Sequence, residues 1–317
     1  MVGYIVRRLI QSVIVLFGVT IVVFVLLHLI PGGEARALLG PKATQADIIA
    51  FNRELGLDKP LPVQYFTWLN NILHGNLGYS YRFNAPVAQL IGTDLPKTLV
   101  LMGASYLVAL IVAIPLGILQ GVRHNKFDDY TLTAFSFLFY SMPPYWLGLV
   151  LILIFSVQLQ WLPPTAPQGN LGQASFDSQL VAGLALPVIT LALITIAQFS
   201  RYQRSAVMDS LVQDHVRTAR SKGLTSMQTL GRHVLRNSLI PLLTLLGVSL
   251  PALFAGALLT ESIFNYPGMG LLFWQAAQSS DYPTLLATTL IVSVATLAGS
   301  LLADIMYAIV DPRIRYS

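Results

Sequence analysis

Asp214-His-Val-Arg-Thr-Ala-Arg-Ser-Lys-Gly-Leu224, continuing to Arg232-His-Val-Leu-Arg-Asn-Ser-Leu-Ile-Pro241, is basic and patterned as helix. On both sides the chain runs into apolar stretches long enough to cross a bilayer. That setting decides the fold class: a polytopic, all-α membrane protein that devotes one long connection to docking or anchoring.

Composition agrees. Of 317 residues, 55% are hydrophobic and only 10% charged, against about 25% charged in soluble domains. Mean hydropathy is +0.66. There is no cysteine, which excludes a disulfide framework and a thiolate metal site. The net charge of +5 does not require nucleic acid, because basic residues beside spans act as topology signals.

Six stretches fit a spanning helix: 9–30, 97–121, 131–159, 181–200, 239–261 and 284–310. Arg7 and Arg8 before the first, and Ala35-Arg-Ala37 after it, imitate a signal peptide. The apolar run outlasts the roughly 7–15 residues of such a segment, so it reads as a retained span. Most of the 19 Lys and Arg fall on one side: Arg7, Arg8, Arg123, Lys126, Arg201, Arg204, Arg217, Arg220, Lys222, Arg232, Arg236, Arg313 and Arg315. That side is expected to be cytoplasmic, with both termini there. The short outer loops 160–180 and 262–283 carry no Lys or Arg. Arg36, Lys42, Arg53, Lys59, Arg82 and Lys97 fall outside, all but Lys97 in one long segment that weighs less in the rule.

That outer segment, 31–95, opens on the helix stop Pro31-Gly32-Gly33. A helix is expected over 44–55, with Thr44 and Asp47 as a capping box and Gly56 as its stop. Ile48, Phe51 and Leu55 share its face. A second helix is expected over 64–73. A packed cap on the membrane domain and a lid or docking surface both fit this segment. The second span contains Pro115-Leu-Gly117; in the third, Pro143 and Pro144 predict a kink, as a packing device or as a bend lining a path. His28 and Glu261 lie near span ends and are expected to reach the interface. Asp304 is expected to cap or pair locally. Small residues such as Gly247, Ala255, Gly256, Ala298 and Gly299 permit close helix approach.

In the cytoplasmic loop 201–238, helical character is expected over 209–222. Leu211, Val212, His215, Val216 and Ala219 form the apolar stripe, and Asp214 pairs with Arg217. Gly223 stops the helix. A further turn from Ser226 presents Met227, Leu230 and Val234. Asn237 or Ser238 caps the fifth span, and Pro241 sits in its first turn. The loop fits either an amphipathic helix on anionic headgroups or a helix seated in a groove of a soluble partner. No enzyme site is legible. The chain has no Gly-Lys pair, hence no phosphate loop, and no Gly-x-Ser-x-Gly. His74 and His124 stand alone.

The chain resembles the permease subunits of type I ABC importers, in the dipeptide/oligopeptide/nickel group. That family's cytoplasmic loop reads Glu-Ala-Ala, three residues, Gly, nine residues, Ile-x-Leu-Pro. Arg217-Thr218-Ala219 occupy the first places and Gly223 the glycine. His233-Val234-Leu235-Arg236 occupy the last four, where Leu235 matches and the proline does not. The departure is usual for the peptide branch. Further landmarks are Tyr4 with Arg7-Arg8, Glu54-Leu-Gly-Leu-Asp-Lys-Pro-Leu61, Gly75-Asn-Leu-Gly78, Ser141-Met-Pro143, Glu261-Ser-Ile-Phe264 with Pro267-Gly268, Asp281-Tyr-Pro283 and Asp311-Pro-Arg313.

The resemblance implies a six-span type I importer permease in the bacterial inner membrane. Its parts would be an N-terminal span (1–30), an extracytoplasmic helical segment (31–95), a five-span core (96–311) containing loop 201–238, and a cytoplasmic tail (312–317). It implies a second homologous permease, two ABC ATPase subunits that hold the ATP and Mg, and an extracytoplasmic binding protein. This chain would carry no cofactor. Arg217, Thr218, Ala219, Arg220, Lys222, Gly223 and Leu224 would form the coupling helix, with Ala219 and Gly223 allowing close approach to the ATPase. Peptides fit better than nickel as cargo. The competing readings are an autonomous ion-driven carrier, which wants charges in mid-membrane, and a membrane enzyme.

Overall fold

The computed structural model describes residues 2–29, 35, 39, 43–166 and 178–310, with no side chain described at 2–6, 178–179, 250, 255 and 303–310. Among the described residues, five helices are long and apolar enough to cross a bilayer: Arg7–His28, Val87–Val122, Leu180–Leu211, Ser226–Phe254 and Tyr282–Leu302. The pair Phe127–Ser141 and Pro144–Gln158, bent by 104°, makes a sixth if it is one span. Among the described residues the regular structure is helical apart from one hairpin of two two-residue strands.

The chain divides into two compact units. The first comprises Met1–Thr98, Phe254–Leu258 and Pro267–Ala298, so it gathers the N-terminal segments with two late stretches of chain. Helix α1 (Val2–His28) precedes α2 (Gln45–Leu55) and α3 (Leu61–Leu73). Thr44 and Asp47 form the expected capping box, and Gly56 at φ +69° closes α2. The Thr44 hydroxyl, then its backbone N–H, hold the exposed Asp47 carboxyl below its usual range. Phe24, Leu27 and Tyr65 pack with Ala276, Tyr282, Leu285 and Leu286, and the Tyr65 and Thr20 hydroxyls lie 2.9 Å apart. The two ring nitrogens of His28 face the Phe24 carbonyl (2.8 Å) and the Gln64 amide oxygen (3.0 Å). The Gln64 amide donates to the carbonyls of Leu57 and Lys59. His28 therefore fastens α1 to the α2–α3 connection.

Strands β1 (Tyr79–Ser80) and β2 (Ala85–Pro86) pair antiparallel and lead into α4 (Val87–Val122). The 36 residues of α4 span roughly 54 Å, well beyond a hydrocarbon core of about 30 Å. It begins ten residues before the expected second span. Helix α12 (Met269–Gln278) and the first part of α13 (Tyr282–Val310) complete this unit. The stretch 262–283, expected as a short loop, thus contains a helix whose Met269, Leu272 and Ala276 are buried. Thr98 Oγ1 accepts from the Met269 N–H at 2.7 Å. Two stretches singled out in the sequence meet here. Buried Asp281 accepts from Ser80, and from Thr284 at 2.8 Å. A Cβ on Gly78, at φ +91°, would stand 3.1 Å from Pro283 Cβ.

The second unit comprises Leu99–Leu253, Leu259–Tyr266 and Gly299–Ser317. After α4 it contains α5 (Phe127–Ser141), α6 (Pro144–Leu151), which continues as π-helix over Ile152–Gln158, and α7 (Ser178–Leu211). The expected kink is a full break. Pro144 has no N–H and forces Pro143 into extended backbone, and Pro143 does the same to Met142. Both residues are extended, at ψ 130° and 135°. Leu147 and Leu151 then pack against Leu186 and Phe264.

Helix α8 (Asp214–Ser221) follows, then α9 (Ser226–Thr229), a π-turn at Leu230–Val234, and α10 (Leu235–Ala255). Several expectations are corrected here. Residues 201–211 belong to α7, and the helix that becomes the fifth span starts at Ser226. Asn237 and Ser238 are therefore interior rather than capping, and Pro241 lies inside α10. Helix α10 ends at Ala255, where Gly256 adopts φ +75° and lets the chain turn. Glu261 sits on a separate helix, α11 (Leu258–Ile263), fully buried instead of reaching an interface. Asp304 lies on α13 with its side chain outside the described set. Residues 31–33, 36, 42, 311, 313 and 315 also lie outside the described residues.

Helices α4 and α7 meet at Gly117-Ile-Leu-Gln-Gly121. A Cβ on Gly117 would lie 2.5 Å from Gln203 Cβ and 2.7 Å from the Ser200 carbonyl oxygen. One on Gly121 would lie 2.7 Å from Val207 Cγ1. A backbone oxygen cannot rotate away, so even one methyl forces the helices apart. Gly117→Ala should lower stability by about 1–3 kcal/mol, read as a fall in thermal midpoint in detergent. Gly103→Ala, on the same helix with nothing within 4 Å of the added atom, should be neutral or stabilising.

Candidate functional site: the linker from α7 to α10

Helix α7 stops at Leu211, and Gln213, with φ −73° and ψ 152°, restarts the chain as α8. Asp214 occupies the first turn of α8 and Arg220 its last, both favourable to the helix dipole. Val216 and Ala219 are buried while the residues between them are exposed. Val207, Val216 and Val234 form a small core, joined by Ile118, Leu211 and Leu230. Val212, expected in the same stripe, is 69% exposed because the helix breaks there. Met227, expected beside Leu230 and Val234, points outward at 78% exposure.

Gly223 ends the helix in the left-handed region, at φ +82°. Its N–H donates to the Arg220 carbonyl at 3.0 Å, and that of Leu224 reaches back to Ala219 at 3.3 Å. Together these make a complete Schellman cap. Thr225 then begins the next helix through a capping box with Gln228: the Thr225 N–H donates to Gln228 Oε1 at 3.1 Å, and the Gln228 N–H to Thr225 Oγ1 at 3.3 Å. The Thr225-x-x-Gln228 spacing is the sequence signature of this cap.

Of the seven residues singled out, Arg217, Thr218, Arg220, Lys222 and Gly223 are exposed together. Leu224 is half-buried and Ala219 is 4% exposed. Ala219 therefore packs within its own chain, as a member of the expected apolar stripe. A Cβ on Gly223 meets nothing within 4 Å, so Gly223 answers to backbone conformation rather than to space. Arg217 pairs with Asp214 at 3.8 Å, both largely exposed, a contact worth little. Pro143 and Pro144 stand at the α5–α6 break, apart from this set.

Two polar clusters hold the ends of the linker. Gln203 Nε2 donates to Ser238 Oγ at 3.0 Å, tying α7 to α10. The Asn237 amide lies 3.0 Å from His215 Nε2, tying α10 to α8. At the α4–α5 turn, buried Asp129 receives Arg204 through Nε (2.7 Å) and Nη2 (2.8 Å), and the Asn125 N–H at 3.0 Å. Arg204 Nη2 also donates to His124 Nδ1 at 3.0 Å. In the sequence Arg123, Lys126 and Arg204 were legible only as topology charges. The sequence signal for the pair is Asp128-Asp129 directly after the turn.

The chain belongs to the binding-protein-dependent transport system inner membrane component family, whose profile matches residues 113–316. The N-terminal profile of the same kind of component matches residues 1–102. It is 41% identical over 318 residues, covering 100% of both chains, to the oligopeptide transport system permease protein AppB of Bacillus subtilis. It is 36% identical to the probable D,D-dipeptide transport system permease protein DdpB of Escherichia coli K12, over 95% of this chain and 94% of that one. To the glutathione transport system permease protein GsiC of the same strain it is 34% identical, over 100% of both. The chain is thus a membrane-embedded permease subunit of an ABC importer and not itself an enzyme.

Asp129 and Arg204 provide a test of the scaffold. Asp129→Ala strands a half-buried guanidinium and should cost about 3 kcal/mol or more. Adding Arg204→Met to it should recover part of that loss. Thermal unfolding of the two single variants and the double variant in detergent measures the coupling; strict additivity would sink this account.

Proposed function

We propose that this chain forms half of a peptide translocation path and passes the motion of cytosolic ATPase subunits to it through α8. The supports are the family membership and the relatives, whose names describe oligopeptide, dipeptide and glutathione transport. A second homologous permease completes the path. Two ABC ATPases hold ATP and Mg on their own phosphate loops, and an extracytoplasmic binding protein delivers cargo. The basic side of the molecule, with both termini, faces the cytoplasm, as the distribution of Lys and Arg favours.

The observation that carries the coupling role is the two-sidedness of α8. Its apolar side is fixed to Val207 and Val234, while Arg217, Arg220 and Lys222 are exposed. A helix that only rested on lipid headgroups would turn apolar residues toward the membrane. Here the buried residues are used up within the chain, and a basic, polar face is left for an acidic groove. An ion-driven carrier remains the weaker reading, because the linker then has no task.

Gly223 separates the two. Its left-handed backbone penalises most side chains by about 1–2 kcal/mol, whereas Asn tolerates that region. Gly223→Val should leave the protein in the membrane but strongly reduce peptide uptake, and Gly223→Asn should retain most of it. Uptake in everted or reconstituted vesicles, normalised to membrane content, is the readout. Normal uptake by Gly223→Val would count against coupling through this turn. The partners are tested by mild-detergent pull-down, expected to bring down a second permease and P-loop ATPases. Arg220→Glu should weaken ATPase retention, and more so at low salt.

A further inference from the structure

Helices α5 and α7 run antiparallel, and their register is fixed by two contacts. Ser200 and Ser136 hydroxyls lie 3.4 Å apart, and Arg204 holds Asp129. By the serine contact, the shorter-armed of the two, Arg201 stands opposite Phe135. Its guanidinium instead lies 4.5 Å from the centre of the Phe137 ring and 5.2 Å from that of Tyr140. Those rings are two and five residues further from the α4–α5 turn, roughly 3–7 Å at 1.5 Å per residue. The side chain therefore reaches back toward the apolar stretch 181–200 and away from the charged end of α7. An interfacial arginine snorkels in the opposite direction.

Arg204, one turn later, is satisfied by Asp129. Arg201 has no carboxylate within ion-pair distance among the described residues; its recorded contacts are the two ring faces. A ring contact uses none of the five N–H donors of a guanidinium, and none of those of Arg201 meets a hydrogen-bond partner among the described residues. Arg201 lines a cavity of about 440 Å³ with Thr133, Gln198, Tyr202, Ser205 and the Asp129-paired Arg204, a size proper to small-molecule sites. An arginine so placed is too costly to face lipid hydrocarbon. The groove therefore faces either water or another polar group.

We propose that Arg201, held against the rings of Phe137 and Tyr140, receives the terminal carboxylate of the transported peptide. Thr133, Gln198 and Ser205 supply neutral hydrogen-bond partners around it. The planar guanidinium suits a carboxylate bidentately, and the aromatic rings lower the local dielectric and strengthen the contact. The assignment rests on the peptide-import reading above and names the part of the cargo recognised.

The test is a cycle between residue and cargo in the reconstituted complete importer. Uptake of a tetrapeptide with a free C-terminus is compared with uptake of its C-terminal amide, in wild type and in Arg201→Gln. Any preference imposed by the binding protein is common to both and cancels. The expected result is a fall of about tenfold in the acid-to-amide ratio, the scale of one charge-assisted hydrogen bond. Arg201→Lys should restore part of it. An unchanged ratio overturns the proposal, including the case where both peptides slow equally because Arg201 serves a lipid phosphate, a partner subunit's carboxylate or the fold. Repeating the assay in vesicles without anionic lipid separates the first of these. If wild type carries neither peptide, the peptide-import reading falls and takes this proposal with it; wild-type uptake with an unchanged ratio sinks the proposal alone.

Discussion

The backbone contact between α4 and α7 at Gly117 and Gly121 governs the second unit. With a Cβ at either position the helices would separate, and the groups that follow would lose their spacing. Ile118, between the two glycines, belongs to the small core that receives Val207, Val216 and Val234. Four residues beyond Gly121 the chain turns at Asn125, held at φ +61°, and Asp129 comes within reach of Arg204. One close approach thus places the turn, the ion pair and the floor on which α8 rests. The stabilising terms here are short-range packing and hydrogen bonds. In hydrocarbon no hydrophobic force drives helix against helix.

The stretch from α2 to the hairpin is organised differently. Its helices α2 and α3 are short, and α2 has no buried residue among those described. Its position therefore depends on what the connections hold. Gln64 takes up two carbonyls of the α2–α3 connection and presents its oxygen to His28. Buried Asp281 gathers the hydroxyls of Ser80 and Thr284, joining the hairpin to the start of α13. Polar side chains act here as clasps between distant stretches, because the apolar area on each short helix is too small to fix it alone.

Legibility in the sequence followed the range of the interaction. The spans were readable from apolar length, the α2 cap from Thr44 and Asp47, and the end of α8 from Gly223. All three are set by residues within a turn or two. Boundaries failed where one helix ran on through a change in polarity, as α7 does through Arg201 and Arg204 and α10 through Asn237 and Ser238. Hydropathy marks where lipid ends, and a helix continues wherever its next turn finds a partner. The Asp129–Arg204 pair was invisible for the same reason: it links residues 75 apart. Glu261 misled because an apolar run gave no sign of the turn at Gly256. Gly117 and Gly121 carried a readable small-xxx-small signal, but only the structure names Ser200 and Val207 as what they approach.

The linker also shows why rigidity and exposure need not compete. A free surface helix of eight residues is far below the length that holds itself in water. Helix α8 is that short, and its order comes from outside: Val216 and Ala219 buried below, a Schellman cap at one end, and His215 joined to Asn237. None of these uses the outward side of Arg217, Arg220 or Lys222. On the proposed reading this division is what coupling requires. A push on the basic face is carried by packed side chains to Val207 and Ile118, and so to α7 and α4, with no intervening loop to absorb it. Loosening Gly223 would spare every one of those side-chain contacts and still interrupt the transfer, because the direction of α8 is set by the backbone turn that follows it.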